Sequence, residues 1–194
     1  MTTLIIGGTF NPVHIGHLYL AEEAMCSLGY QRVLFIPSHI PAHKEHDPHI
    51  SPQQRLEMLR LVLSDSPFSV DDTEIRRGGV SYTIDTVRDL RKRYHIQGRP
   101  GLIVGDDLVD GLPEWREWET LRSMVDLVIA HRTTTERVPC RWEHRYLDNL
   151  ILPVASRDLR ERIAGGHAFR YLLPTEAYRY IREYGLYGCK ERVE

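Results

Sequence analysis

Cysteine is scarce in this sequence of 194 residues. The chain has three, Cys26, Cys140 and Cys189, which are widely separated and form no Cys-x-x-Cys pair. A disulfide framework and a thiolate zinc site both need paired cysteines at recognisable spacings. The sequence supports neither, and we expect ordinary reduced thiols.

Long hydrophobic runs are also missing. No apolar segment approaches the roughly 20 residues that a transmembrane helix needs, and the N-terminus has no basic segment followed by an apolar one, as a signal peptide would. Hydrophobic residues make up 42% and charged residues 27% of the chain, close to globular averages. We therefore expect a cytoplasmic protein that does not bind membranes.

An excess of basic charge is the third absence. The chain has 25 Lys and Arg residues and 27 Asp and Glu residues, a formal net charge of -2. A general nucleic-acid-binding surface is typically basic, so we expect no nucleic acid partner and favour small anions. The Gly-x-Gly-x-x-Gly fingerprint of dinucleotide-binding dehydrogenases is absent as well. The number of subunits is left open, with a homo-oligomer possible.

What the chain does contain is a glycine turn near its start. Residues 7–17 read Gly-Gly-Thr-Phe-Asn-Pro-Val-His-Ile-Gly-His and follow the apolar run Leu4-Ile5-Ile6. Glycines let the backbone approach a ligand closely, and the free N–H groups of a helix start form an anion site. The pattern predicts a strand, a phosphate-binding turn and a helix.

Two histidines stand three residues apart at the start of that helix. His14 and His17 can reach the same side of the turn, with Gly16 between them. A zinc pair would need a third ligand at a recognisable spacing, and two surface histidines are the plainest alternative. The upstream glycines favour phosphate over metal.

The pattern after the turn predicts the fold. Apolar residues recur at helical spacing from Leu18 to Leu28, Gly29 ends that run, and residues 32–37 resemble a buried parallel strand. Strand, helix and strand form the βαβ unit of a doubly wound α/β sheet. We predict a mainly parallel sheet with helices on both faces, in one domain over residues 1–194 with a C-terminal helical part at about 156–190.

A polar, proline-containing segment follows at residues 38–50. It concentrates four histidines, His39, His43, His46 and His49. Prolines interrupt any helical register and no paired carboxylates complete a ligand set, so we favour a solvated loop without a metal ion. Ser51 and Pro52 then predict the start of a mainly structural helix.

Two aspartates come directly after a later strand. Asp106 and Asp107 follow Leu102-Ile103-Val104-Gly105, at the sheet edge where such folds bind ligands. Paired acids there could bind magnesium, accept from a ribose hydroxyl or cap a helix, and the residues alone leave these three roles open.

The remaining pattern predicts an exposed turn at 76–79, a buried strand at 125–130, a surface insertion at 133–145 and a last strand at 149–152.

Residues 7–17 resemble the His-x-Gly-His signature of nucleotidyltransferases that share a Rossmann-like fold with class I aminoacyl-tRNA synthetases. More closely, they look like the opening of the bacterial nicotinate mononucleotide adenylyltransferases. That family usually has Asp where Asn11 stands, which removes a charge and keeps a turn-forming side chain. Further stretches resemble later motifs of the family in the same order, namely residues 37–44, 81–86, 105–107 and 154–160.

The resemblance implies an enzyme of NAD biosynthesis. Such an enzyme transfers the adenylyl group of ATP to nicotinate mononucleotide, giving nicotinate adenine dinucleotide and pyrophosphate. It implies Mg²⁺ bound with ATP and not by a cage of protein ligands. The attacking phosphate has a second pKa of about 6 and is largely an anion at neutral pH, so no general base is expected.

The same resemblance implies roles for residues near the triphosphate. His14 and His17 take the catalytic positions, and Lys44 ends a segment similar to the family's Pro-x-x-x-Pro-Pro-His-Lys, with Ala42 replacing the second proline. The residues implied to bind ATP and its phosphates are Gly8, Thr9, Phe10, Lys44, Arg132, Ser156 and Arg160.

One motif departs from the family pattern. Ser156 and Arg160 match the family's Ile-Ser-Ser-Thr-x-Ile-Arg, whereas Ala155 and Arg157 do not. A purely structural interpretation of this stretch is an amphipathic helix with exposed charge pairs. The departure also keeps open a nucleotide-binding module without turnover, although both histidines are intact.

Three positions are implied to bind the mononucleotide. Thr83 stands at the helix start that meets the nicotinate carboxylate, Asp107 matches a residue that binds substrate hydroxyls, and Trp115 matches the tryptophan that stacks on the pyridine ring. Trp118 is expected in the core because its spacing to Leu121 fits a buried helix face. Within this class the alternatives are a nicotinamide mononucleotide enzyme or a dual-specificity enzyme, and a relative that acts on pantetheine phosphate or transfers a cytidylyl group.

Overall fold

The computed structural model describes residues 1–42 and 50–190. Strands in this part of the chain are β1 Thr3–Gly8, β2 Arg32–Pro37, β3 Ile40–Pro41, β4 Ser69–Val70, β5 Val80–Ser81, β6 Gly101–Gly105, β7 Asp126–Ala130 and β8 His144–Leu147. Helices are α1 Ile15–Leu28, α2 Pro52–Leu63, α3 Thr73–Arg77, α4 Thr83–Arg93, α5 Trp118–Met124, α6 Ser156–Ala164 and α7 Thr175–Glu183.

A six-stranded sheet with the order β4-β2-β1-β6-β7-β8 forms the centre of the molecule. All of its strand pairs are parallel. The chain moves outward from β1 to β2 on one side and returns to the other side of β1 as β6, so the strand order reverses between β1 and β6. Open α/β sheets bind ligands at the carboxyl ends of strands at such a reversal.

Helices cover both faces of the sheet. Alternate residues of a strand point to opposite faces. Leu4 and Phe35 therefore share one core with residues of α1, α2, α6 and α7, while Ile5 and Leu34 share a second core with residues of α4 and α5. The predicted doubly wound, mainly parallel α/β fold is confirmed.

The C-terminal helices are part of the first core. Leu159 and Ile163 of α6 and Ala177 and Ile181 of α7 are buried in the same cluster as the sheet residues. The Tyr180 hydroxyl of α7 also donates to a carboxylate oxygen of Glu57 on α2, at 2.8 Å. The helices within residues 1–42 and 50–190 are too short or too polar to span a bilayer.

The prediction of a last strand at 149–152 was wrong. The last strand is β8, and the segment after it has no ladder pairing because the Asn149 side chain takes that role. Its amide oxygen accepts from the His131 N–H at 2.9 Å, and its amide nitrogen donates to the His131 carbonyl at 2.8 Å. Leu150 is 72% exposed, as no buried strand residue would be.

Two smaller expectations also need correction. The segment 133–145 is not only surface, because Trp142 packs edge-on against the buried Trp118 at a ring-centroid distance of 5.0 Å and β8 begins at His144. The expected turn at 76–79 is the end of α3 followed by glycines, with φ of 71° at Gly78 and 65° at Gly79.

The start of α2 gives a stability prediction. Ser51 accepts from the Gln54 N–H at 3.1 Å while the Gln54 side chain accepts from the Ser51 N–H at 2.9 Å, a reciprocal capping box. We expect Ser51→Ala to lower the free energy of unfolding by about 1 kcal/mol. Urea denaturation measures this, and Ser64→Ala at the other end of α2 is the control. Equal losses in the two variants would contradict the assignment.

Candidate functional site

The glycine turn lies where β1 ends, at the reversal of strand order. A Cβ at Gly8 would lie 3.1 Å from the Phe10 ring, whereas a Cβ at Gly7 would meet nothing within 4 Å. Phe10 itself has φ of 49°, a left-handed conformation that is costly for a bulky residue. Its ring is buried against Phe35 and the edge of His17, and that packing holds the strained turn in place.

The two histidines form a stacked pair directly after the turn. Their ring centroids lie 3.7 Å apart with an interplanar angle of 30°. Gly16 gives this pair room, because a Cβ at that position would lie 3.1 Å from the His14 ring. The predicted proximity of the two imidazoles is confirmed, and α1 begins between them, at Ile15.

A hydrogen bond fixes the proton on His17. The His14 backbone N–H donates to His17 Nδ1 at 3.2 Å, so Nδ1 is the unprotonated nitrogen of the neutral ring. The proton is therefore on Nε2. His17 thus has an N–H donor on the nitrogen that points away from the helix backbone.

His14 is buried and neutral at physiological pH. Burial, with a smaller contribution from the positive charge of Arg132, lowers the pKa of His14 from 6.5 to about 4. A neutral imidazole next to the turn can donate one hydrogen bond to an anion without first losing a proton.

The paired aspartates have separate partners. Asp106 is 5% exposed and accepts from the backbone N–H groups of Arg132, Thr133 and Thr134. Burial alone would raise the pKa of Asp106, but these bonds outweigh it and hold that pKa below its usual range. Asp107 instead forms an ion pair with the Arg132 guanidinium at 3.0 Å. Asp106 therefore caps the turn after β7, and Asp107 faces a cavity.

The C-terminal helices hold the turn from the outside. Ser156 donates its hydroxyl to the Pro12 carbonyl at 2.8 Å, and Arg160 donates to the Asn11 carbonyl at 2.8 Å. Tyr187 donates to the Asn11 side chain at 2.7 Å. Two of the predicted triphosphate ligands thus also bind the loop between the glycine turn and α1.

A large cavity of about 770 Å³ opens beside the histidines. The predicted ATP-binding and catalytic residues on its wall are Gly8, Thr9, Phe10, His14, His17, Arg132, Ser156 and Arg160. Lys44 lies outside the described residues. Arg157 also reaches this wall, but its side chain is 81% exposed and pairs with Glu161.

A second cavity of about 310 Å³ lies on the other side of the turn. The three predicted mononucleotide-binding residues are all on its wall, namely Thr83, Asp107 and Trp115. Trp118 is 4% exposed and packs edge-on beside Trp115 at 6.5 Å, as its spacing predicted. Residues 7–9 line both cavities, so the two spaces meet at the glycine turn.

Sequence reasoning missed two buried charged residues at the site. Arg55 of α2 is 3% exposed and lines the large cavity, and Glu74 of α3 is 7% exposed and lines the small one. Burial raises the pKa of Glu74, opposed by hydrogen bonds from Thr86 and Ser81. A signal for Arg55 was available, because it stands in helical register with Leu59 on the apolar stripe of α2.

The described residues contain no cluster of three metal-ligating side chains. Both oxygens of Asp106 accept hydrogen bonds from the chain, and Asp107 is paired with Arg132. A cation that arrives with a polyphosphate fits this donor set better than one held by the protein alone.

The chain is similar to a known protein family over most of its length. Residues 5–179 match the family described as cytidylyltransferase-like. A relative from Borreliella burgdorferi named probable nicotinate-nucleotide adenylyltransferase is 41% identical over 100% of both chains. A relative of the same name from Treponema pallidum is 34% identical over 96% of this chain and 99% of its own.

Solved structures share the fold. The Plasmodium falciparum nicotinic acid mononucleotide adenylyltransferase complexed with NaAD superimposes with a TM-score of 0.75 at 16% identity, covering 97% of this chain and 98% of that one. A protein described as a putative nicotinate-nucleotide adenylyltransferase from Vibrio parahaemolyticus gives a TM-score of 0.67 at 16% identity, covering 93% and 99%.

The buried His14 predicts how stability depends on pH. Its pKa is about 4 in the folded protein and 6.5 when unfolded. Its contribution is therefore complete above pH 6.5 and is lost as the pH falls from 6.5 to 4, because between these values mainly the unfolded state takes up the proton. Between about pH 7.5 and about pH 5, the wild type should lose about 2 kcal/mol more stability than His14→Asn. Denaturant titrations at both pH values measure this.

The exposed His95 supplies the control for that measurement. His95→Asn should lose as much stability as the wild type over the same pH interval. If His14→Asn also matches the wild type, His14 is not a buried neutral group.

Proposed function

The chain belongs to the cytidylyltransferase-like family and, within it, to the nicotinate-nucleotide adenylyltransferases. From this membership we propose that its two cavities bind ATP and nicotinate mononucleotide side by side. The product is nicotinate adenine dinucleotide, and pyrophosphate leaves. The observation that carries the proposal is the meeting of the two cavities at the glycine turn of residues 7–9.

ATP occupies the larger cavity in this proposal. Its triphosphate lies against the turn and the start of α1, where backbone N–H groups and the helix dipole favour negative charge. Arg132 and Arg160 on the same wall add positive charge. Ser156 and Lys44 complete the proposed phosphate ligands.

Nicotinate mononucleotide occupies the smaller cavity. The indole of Trp115 offers a flat apolar surface for the pyridine ring, and Asp107 accepts from a ribose hydroxyl. Thr83, the first residue of α4, lies where N–H groups of the helix start meet the ring carboxylate. The mononucleotide phosphate is then directed toward the glycine turn and the ATP.

Adenylyl transfer needs alignment and charge neutralisation. A phosphate oxygen of the mononucleotide attacks the α-phosphorus of ATP, and the bond to the bridging oxygen breaks as pyrophosphate departs in line. The attacking phosphate has a second pKa of about 6, so it needs no general base. His17 Nε2–H and the neutral His14 stabilise the charge that grows on the bridging and leaving oxygens.

Nucleotidyltransferases generally use a divalent cation, and we propose that this cation is Mg²⁺. Bound together with ATP, such a cation would supply charge shielding for the attack of the incoming anion. Residues of the chain that hold the triphosphate then position this complex, in agreement with the donor set at Asp106 and Asp107.

One assay tests the proposed reaction. The purified protein is incubated with ATP and nicotinate mononucleotide, and pyrophosphate and the dinucleotide are both measured. We expect equimolar products, with little turnover of phosphopantetheine or of CTP in place of ATP. No dinucleotide from any pyridine mononucleotide would refute the proposal and favour a nucleotide-binding module without turnover.

His17 is expected to act mainly on the transition state. Replacing it with Ala removes one preorganised donor, and kcat should fall by about a hundredfold or more. Steady-state kinetics measure this, with His167→Ala as the control at an exposed histidine. Near-normal turnover in His17→Ala would show that the imidazole does not contact the reacting phosphates.

The choice of pyridine follows from the donors at the start of α4. A carboxylate accepts at both oxygens, whereas a carboxamide presents its own NH₂ to one donor and leaves it unpaired. An unpaired buried donor costs about 1 to 3 kcal/mol, so kcat/KM should favour the acid by roughly ten- to a hundredfold. We expect Thr83→Val to narrow this ratio and the exposed Thr120→Val to leave it unchanged. Equal use of both mononucleotides by the wild type would indicate a dual-specificity enzyme instead.

A further inference from the structure

Arg55 binds three backbone carbonyls at the point where the sheet ladder ends. At the end of the β1–β2 pairing, the Ser38 N–H donates to the Gly8 carbonyl at 2.9 Å. Beyond it, Arg55 Nη1 donates to the Thr9 carbonyl at 2.7 Å, and Nη2 donates to the carbonyls of Ser38 and His39 at 2.7 and 3.0 Å. One side chain thus replaces the missing ladder between the turn and the segment after β2.

These bonds also set the direction of N–H groups in the turn. In a trans peptide the C=O and the following N–H point to opposite sides. Because the Thr9 carbonyl faces Arg55, the Phe10 N–H faces away from it. In the segment after β2, the His39 N–H donates to the Ser81 hydroxyl at 2.9 Å. This bond connects the segment that Arg55 holds to the wall of the small cavity.

Only arginine suits this place. Its planar guanidinium carries five donors in a fixed fork and stays charged when buried, whereas lysine offers a single ammonium and loses its proton more readily. Burial lowers the pKa of Arg55, opposed by the nearby Tyr187 and Glu74. The buried cation carries a desolvation cost that an apolar side chain would avoid.

We propose that Arg55 is a positioning residue for adenylyl transfer: it fixes the glycine turn and the segment after β2 relative to each other, so that the turn is preformed for the triphosphate. This inference rests on the proposed function. A misplacement of about 1 Å in such a site is enough to slow a reaction about a hundredfold. The effect falls on kcat and on ATP, because the carbonyls that Arg55 binds belong to the glycine turn and to the segment after β2, whereas Thr83 begins α4.

The test compares Arg55→Met and Arg55→Lys with Arg60→Met in steady-state kinetics, each scaled to folded protein by thermal denaturation. Arg60 is a matched control, because it lies on α2 with 57% of its side chain exposed and pairs with Asp72 at the surface. For Arg55→Met we expect kcat to fall by about ten- to a hundredfold, with the KM for the mononucleotide within about twofold of wild type. Arg55→Lys should recover part of kcat, and Arg60→Met should match the wild type.

Other outcomes would overturn the inference. A structural role alone would lower thermal stability and the folded fraction while leaving kcat per folded molecule unchanged. If Arg55→Met does not fold, the result for Arg55→Lys decides, and wild-type kcat in that variant contradicts positioning. An inactive wild type would refute the proposed function itself, whereas an active wild type with an equally active Arg55 variant refutes only the role of Arg55.

Discussion

Parallel pairing of β1 with β2 on one side and β6 on the other is the interaction on which the site depends. Within the sheet the backbone groups of β1 form hydrogen bonds with these two strands. Where β1 ends, the segments that follow the three strands separate. The turn that follows lies at the carboxyl edge of the sheet, just before the start of α1, where folds of this kind bind anions. Both cavities meet here, because the neighbours diverge to opposite sides of residues 7–9.

Distant side chains then hold this turn in one conformation. Arg55 binds it from α2, and Ser156, Arg160 and Tyr187 bind the adjoining loop from the C-terminal part of the chain. A turn with a strained Phe10 needs such support to stay in place. The turn is therefore ordered when the protein folds, and the conformational entropy of ordering it is not lost when ATP binds. Donors that are already in place can stabilise charge without rearranging.

Sequence patterns predicted the features that depend on local spacing. Apolar runs identified β1 and β2, helical spacing identified α1, and family motifs identified residues that line the two cavities. Contacts between distant residues could not be predicted in this way. The bond from Arg55 to Thr9 spans 46 positions and that from Tyr187 to Asn11 spans 176, and the Asn149 side chain replaced strand pairing that its apolar neighbours suggested.

In the proposed reaction both nucleotides are bound together and react directly across the glycine turn. The stereochemical course at the α-phosphorus tests it, with one diastereomer of ATP carrying sulfur on the α-phosphate and with nicotinate mononucleotide as acceptor. A single in-line displacement predicts inversion of configuration in the dinucleotide. Retention would indicate two displacements through a covalent adenylyl-enzyme, and it would contradict the side-by-side arrangement proposed for the two cavities.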